Sequence, residues 1–318
     1  MALDPVYFSL QNALAQTWND AGVLDERQKG LIRRCLLAER DSVIEGDLAA
    51  VVPTSEAELG TLQRVLAACD EIARVGRDAG NGWLTDDGLM FPVAIRSYIH
   101  ATASYLHRNR YYLPDEFFDP LCKHVLDHRS HIATLNYDEL LYRKFANSSA
   151  MKGYGCLIDG FIRGAFSDSK MSRFKPLSQS FYLHLHGSPM YISDAKGDVL
   201  KIGVGAVGEF AGSSSTHLVL TRFDYKTSVI SSSEVLAAYW ERLAEALSEV
   251  SKVTLCGYSG LDQHLNDVIN LSDVSDVQVV EYGVGRSQAA QEASWKGLFP
   301  AKTVNVELLD NILDFSSW

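Results

Sequence analysis

The stretch His131-Ile-Ala-Thr-Leu-Asn136-Tyr-Asp138-Glu-Leu-Leu-Tyr-Arg-Lys-Phe145 changes period part-way along. Its first residues form a short apolar run, whereas Asp138 to Phe145 repeats apolar side chains at helical spacing. Asn136 therefore sits where a strand hands over to a helix. Two later stretches repeat the pattern. Phe181-Tyr-Leu-His-Leu185 reads as a strand broken by His186-Gly187-Ser188-Pro189. Lys252-Val-Thr-Leu-Cys256 reads as a buried strand that turns at Gly257-Tyr-Ser259-Gly260 into a helix starting near Asp262. Ligands of open α/β sheets bind in the crevice outside the carboxyl ends of the strands. All three motifs fall at that edge and together point to a nucleotide site.

From Ser130 onward strands alternate with helices, and Val277-Gln-Val-Val280 and Thr303-Val-Asn-Val-Glu307 supply further strands. The fold class expected is α/β, a Rossmann-like parallel sheet over residues 130–318 with a helical subdomain over residues 1–129. In the helical part, Ser55-x-x-Glu58 has capping-box spacing, and Leu59, Leu62, Leu66, Cys69 and Ile72 recur every three or four residues. Ala94 to His107 and Glu116 to Leu126 continue in that style. Ser231-x-x-Glu234 opens a later helix with Leu236, Trp240, Leu243 and Leu247 on one face.

Composition narrows the classes. A 47% hydrophobic chain of 318 residues can build a large core, and a 22% charged fraction without long biased runs argues against disorder. A net charge of −11 argues against direct nucleic-acid binding, which needs clustered Lys and Arg. The chain shows no apolar run of membrane-spanning length and no charged-then-apolar leader, so a cytoplasmic protein is expected, with no membrane partner. Cys35, Cys69, Cys122, Cys156 and Cys256 form no C-x-x-C pair, so no zinc ribbon is expected.

The motifs resemble those of a known family. Thr134-x-Asn136-x-Asp138 is similar to the Thr-Gln-Asn-Ile-Asp stretch of sirtuins, His186-Gly187 to their His-Gly, and Gly257-x-Ser259 to their Gly-Thr-Ser turn. The likeness is fuller to the sirtuin-like domains of bacterial anti-phage defence proteins, where Asn-Tyr-Asp, Leu-His-Gly-Ser and Gly-Tyr-Ser recur in this order. It covers about Ser130 to Glu307, with a weaker trace near Tyr7 to Leu10. It implies a NAD+ hydrolase that releases ADP-ribose and nicotinamide, with Asn136 and His186 catalytic and Thr134, Asp138, Gly187, Gly257, Ser259 and Asp262 contacting NAD+. It also implies an activating partner, such as an ATPase or a nucleic-acid-guided protein, or a homo-oligomer. A non-catalytic nucleotide-binding scaffold and a NAD-dependent deacylase are the alternatives.

The residue chemistry fits that expectation. Cleaving the nicotinamide–ribose bond passes through an oxocarbenium-like ribose, which calls for held hydroxyls, a placed water and a modest base. Asn136 offers both donor and acceptor to orient ribose and water. His186 is a base near neutral pH, though His184, two residues earlier, competes for the role. Ser259 and the amides of Gly257 to Gly260 can hold phosphate or ribose oxygens.

Plainer roles stand beside these. Asp138 and Asp262 suit helix caps, Cys256 suits the core, and His264 is a further pocket candidate. Glu281 can receive an adenine-side ribose or sit at a solvated strand end. His124 and His128 have metal-ligand spacing but suit an exposed helix end. Gly203-Val-Gly205-Ala-Val-Gly208 fits G-x-G-x-x-G without a helix after it, and Gly80-Asn81-Gly82 suits a helix stop. The family resemblance calls for a strand and Gly-rich phosphate turn ahead of Tyr7, and Met1 to Tyr7 supplies neither. A late start or natural loss of the turn accounts for this.

Overall fold

The computed structural model describes residues 3–39, 51–78, 82–152, 155–173, 179–207, 215–221 and 223–318. Gly80, Asn81, Gly208 and the Gly/Ser-rich stretch after it lie outside them. In chain order the elements are α1 (Leu10–Asn19), α2 (Glu26–Glu39), α3 (Glu56–Asp78), α4 (Asp86–His107), α5 (Asp115–His128), β1 (Ile132–Thr134) and α6 (Leu140–Asn147). There follow β2 (Leu157–Ile158), β3 (Phe161–Ile162), β4 (Ala165–Phe166), β5 (Ser180–His184), β6 (Tyr191–Ser193), β7 (Val199–Lys201) and α7 (Phe223–Ser232). The chain continues through α8 (Glu234–Ser248), β8 (Lys252–Cys256), α9 (Gln263–Leu271), β9 (Asp276–Tyr282), α10 (Gln288–Leu298) and β10 (Thr303–Leu309). The class is α/β, with parallel sheets and an N-terminal helical region, as expected.

Two compact units divide the chain. The first holds residues 1–5, 110–185 and 234–318. Its strands form two three-stranded parallel sheets, ordered β1-β5-β2 and β10-β9-β8. Every residue of β5 is buried, the pattern of a parallel strand covered on both faces. One cover is α8, which packs against β5. Its Leu236, Trp240, Leu243 and Leu247 are all buried, as their spacing predicts. β3 and β4 make a short antiparallel hairpin, and α5 and α6 belong to this unit.

The second unit holds residues 6–109 and 186–233. Here α4 is the central helix, touched by α1, α2 and α3. It is apolar on most sides, with Phe91, Ala94, Ile95, Tyr98, Ile99 and Ala103 buried, which suits a helix surrounded by others. The Tyr98 hydroxyl donates to the Leu14 carbonyl at 2.9 Å and so satisfies the polar end of that ring. β6 and β7 form an antiparallel hairpin, and α7 packs against α3.

Local details depart from the sequence pattern in three places. The Ser55 hydroxyl accepts the Glu58 N–H, as a capping box requires, but the Glu58 carboxylate reaches back to the Thr54 N–H at 2.7 Å instead of that of Ser55. The apolar stripe of α3 is fully buried at Leu59 and Leu62, yet Ile72 is 39% exposed. Ser231 does not open α8: it sits in the last turn of α7, its hydroxyl donating to the Ser228 carbonyl, because residues 223–232 form a helix of their own. Among the described residues no helix is long and apolar enough to cross a membrane.

Candidate functional site

The first motif leaves β1 at Thr134. The Thr134 hydroxyl accepts the Asn136 N–H at 3.1 Å, and the Thr134 carbonyl accepts the Leu185 N–H at 2.9 Å. These bonds set the loop that carries Asn136, whose side chain is exposed. Asp138 Oδ1 accepts the Leu140 N–H at 3.0 Å, closing the turn ahead of α6 from the position before its capping residue. Burial pushes the Asp138 carboxyl up to about 6, against the lowering effect of the amides bonded to it.

Behind this loop lies an aromatic cluster. Tyr142, Tyr182 and His184 bring their ring centroids to 5.2–5.3 Å of one another. The Tyr142 hydroxyl donates to Asp159 Oδ2 at 3.0 Å. His184 is only 2% exposed inside this cluster.

The third motif leaves β8 at Gly257, whose N–H donates to the Val280 carbonyl and extends the pairing with β9. Gly257 and Gly260 take φ of 66° and 75°, the left-handed region open to glycine. Asp262 caps α9 through the Leu265 N–H at 3.2 Å, the plainer of its two expected roles. Two residues that the sequence did not single out stitch the turn. The Tyr258 hydroxyl accepts the Asp262 N–H at 3.0 Å, and the buried Asn266 amide donates to the Gly260 carbonyl at 2.8 Å. Ser259 remains exposed at the tip.

Trp240 joins these two motifs. Its indole N–H donates to the Leu185 carbonyl at 3.0 Å, and its ring lies against that of His264, with centroids 4.3 Å apart. Since Leu185 also donates to Thr134, contacts run unbroken from the end of β1, through the end of β5, to the first turn of α9.

Leu185 is the last residue of its stretch in the first unit, and His186 begins the next stretch in the second. There the His186 carbonyl accepts the Val219 N–H at 3.0 Å, and Gly187, at φ 79°, makes an antiparallel bridge with Leu218. Unlike His184, His186 is only part-buried. Its Nε2 lies 3.2 Å from Nζ of Lys226, a residue the sequence reading passed over.

Residues 130–276 match the SIR2-like domain family. Among curated proteins the chain has no match. The SIR2-like stretch contains all three motifs and ends as β9 begins, so α10 and nearly all of β9 and β10 lie beyond it. A SIR2-like domain suggests NAD+ binding and a NAD-related function.

The remaining candidates fall outside this arrangement. Glu281 is buried within β9 instead of ending it in solvent, and accepts from Trp295 Nε1 at 2.8 Å and Arg286 at 3.0 Å. Burial raises the Cys256 thiol to about 11, which keeps it protonated and unreactive at neutral pH. The His124 and His128 rings stack at 4.5 Å on α5. Among the described residues no group of three or more His, Cys, Asp or Glu side chains is arranged to hold a metal. After Gly203 comes a single 3-10 turn, Val204–Ala206, and residues 208–214, where a helix after the motif would begin, lie outside the described residues.

Proposed function

We propose that this protein is a NAD+ hydrolase, cleaving NAD+ with water to ADP-ribose and nicotinamide. The bond from ribose C1′ to the nicotinamide nitrogen breaks, its electron pair leaving with nicotinamide, and the water oxygen bonds C1′ as its proton passes to a base. Asn136 orients ribose and water, and His186 is the base. Thr134, Asp138, Gly187, Gly257, Ser259 and Asp262 frame the nucleotide.

The observation that carries this reading is the contrast within the SIR2-like stretch between two histidines. His184 is sealed in an aromatic cluster, while His186 is part-exposed and followed by Gly187 at φ 79°. Exposed Asn136, on a loop anchored by Thr134, supports the positioning role.

An unrestrained NAD+ hydrolase would drain its own cell, so the activity suits a defence protein held off until an activating partner or self-association releases it. The test is nicotinamide release from NAD+ by the purified chain beside Asn136→Ala and His186→Ala. Both substitutions are expected to abolish release. Turnover that survives them overturns the site assignment, and NAD+ binding without turnover, with any activator present, makes the protein a nucleotide-binding subunit instead.

A further inference from the structure

Lys226 lies four residues before Ile230 on the same face of α7, and both are buried, at 6% exposure each. A lysine withdrawn from water needs hydrogen-bond acceptors. Nε2 of His186 lies 3.2 Å from the Lys226 Nζ. The main chain beneath that imidazole is fixed from the other side, through the Val219 N–H on the His186 carbonyl and the bridge from Gly187 to Leu218. The ring at Nε2 and the main chain of His186 are thus both contacted by residues of one compact unit.

The two groups are not interchangeable as donors. An ammonium has three donors and no acceptor, whereas a neutral imidazole has one of each. With the ammonium donating, Nε2 is the acceptor and the single imidazole proton sits on Nδ1. We propose that Lys226 is a positioning residue that holds His186 as its Nδ1–H tautomer. Nε2 is then the one ring nitrogen with a lone pair, so a proton taken up by His186 arrives there and displaces the Lys226 hydrogen bond.

The tautomer does not rest on the hydrolase reading. The test is the imidazole 15N spectrum of the full chain with labelled histidine, His186 being assigned by the signal lost in His186→Ala. The expected pattern is a protonated Nδ1 and an unprotonated Nε2, retained in Lys226→Arg and lost in Lys226→Met.

A wild-type His186 protonated on Nε2 overturns the proposal, and this result needs no variant to fold. An unchanged tautomer in a folded Lys226→Met protein overturns it equally. The expected tautomer pattern in a chain that releases no nicotinamide upholds the role of Lys226 while removing the hydrolase reading.

Discussion

Trp240 Nε1 donates to the Leu185 carbonyl at 3.0 Å while its ring packs on His264, so one side chain of α8 spans the end of β5 and the start of α9. Leu185 is also bonded to Thr134, which shapes the Asn136 loop. Trp240→Phe keeps an apolar ring but leaves the Leu185 carbonyl without its donor. A loss of about 1–2 kcal/mol in urea unfolding is expected, the usual cost of an unmet buried polar group. Nicotinamide release should fall with it, and wild-type turnover in a measurably destabilised Trp240→Phe protein would show that this link supports the fold alone.

Asp138 gives a pH signature. Its folded-state value of about 6 lies above the ordinary 3.8, so the folded protein prefers the protonated form. Below the ordinary value the carboxyl is neutral in both states and costs nothing. As pH rises from there to the folded value the penalty grows, and above it the penalty is complete, at most roughly 3 kcal/mol. Asp138→Asn removes the titration while keeping an oxygen for the Leu140 N–H. The variant should match wild type in unfolding free energy near pH 3.5 and exceed it at pH 7.5. A gap that does not widen with pH would contradict the burial argument.

Gly260 should tolerate no side chain. At φ 75°, an added Cβ would lie 2.8 Å from Leu298 Cδ1 and 3.2 Å from the Trp295 ring. Gly260→Ala therefore combines left-handed strain with overpacking, together about 2–4 kcal/mol. Differential scanning calorimetry of Gly260→Ala against Gly205→Ala makes the comparison, because nothing lies within 4 Å of a Cβ built at Gly205. Equal melting temperatures would refute the expectation.

Glu281 serves the fold through two hydrogen bonds, one to the buried Trp295 indole and one to Arg286. Glu281→Ala strands the indole N–H and should cost about 2–3 kcal/mol. Glu281→Gln retains an acceptor for Trp295 and loses only the charge facing the half-exposed Arg286, for about 1 kcal/mol or less. Equilibrium unfolding of both variants at equal salt separates the two contributions, and a glutamine variant as unstable as the alanine one would contradict the division.

The strands were legible because parallel strands buried on both faces write themselves as apolar runs. β5 and β8 appear where Phe181 to Leu185 and Lys252 to Cys256 predicted them, to within a residue. Glu281 was misread because the run beside it ended at Val280, while β9 continues through Tyr282 and Trp295 reaches it from α10. Ser231 was misread because its spacing to Glu234 fits a cap only if the preceding residues are not already helical.

By itself the sequence determined the α/β class, the strand ends that carry Asn136, His186 and Ser259, and the likeness to a SIR2-like domain, because period, turn residues and motif order are local properties of the chain. Tertiary structure decided what surrounds those residues. His184 and His186 are two positions apart, yet one is enclosed by Tyr142 and Tyr182 and the other meets Lys226 from forty residues downstream. Burial, the proton position on an imidazole and the rise of the Asp138 carboxyl depend on neighbours brought together across the sequence.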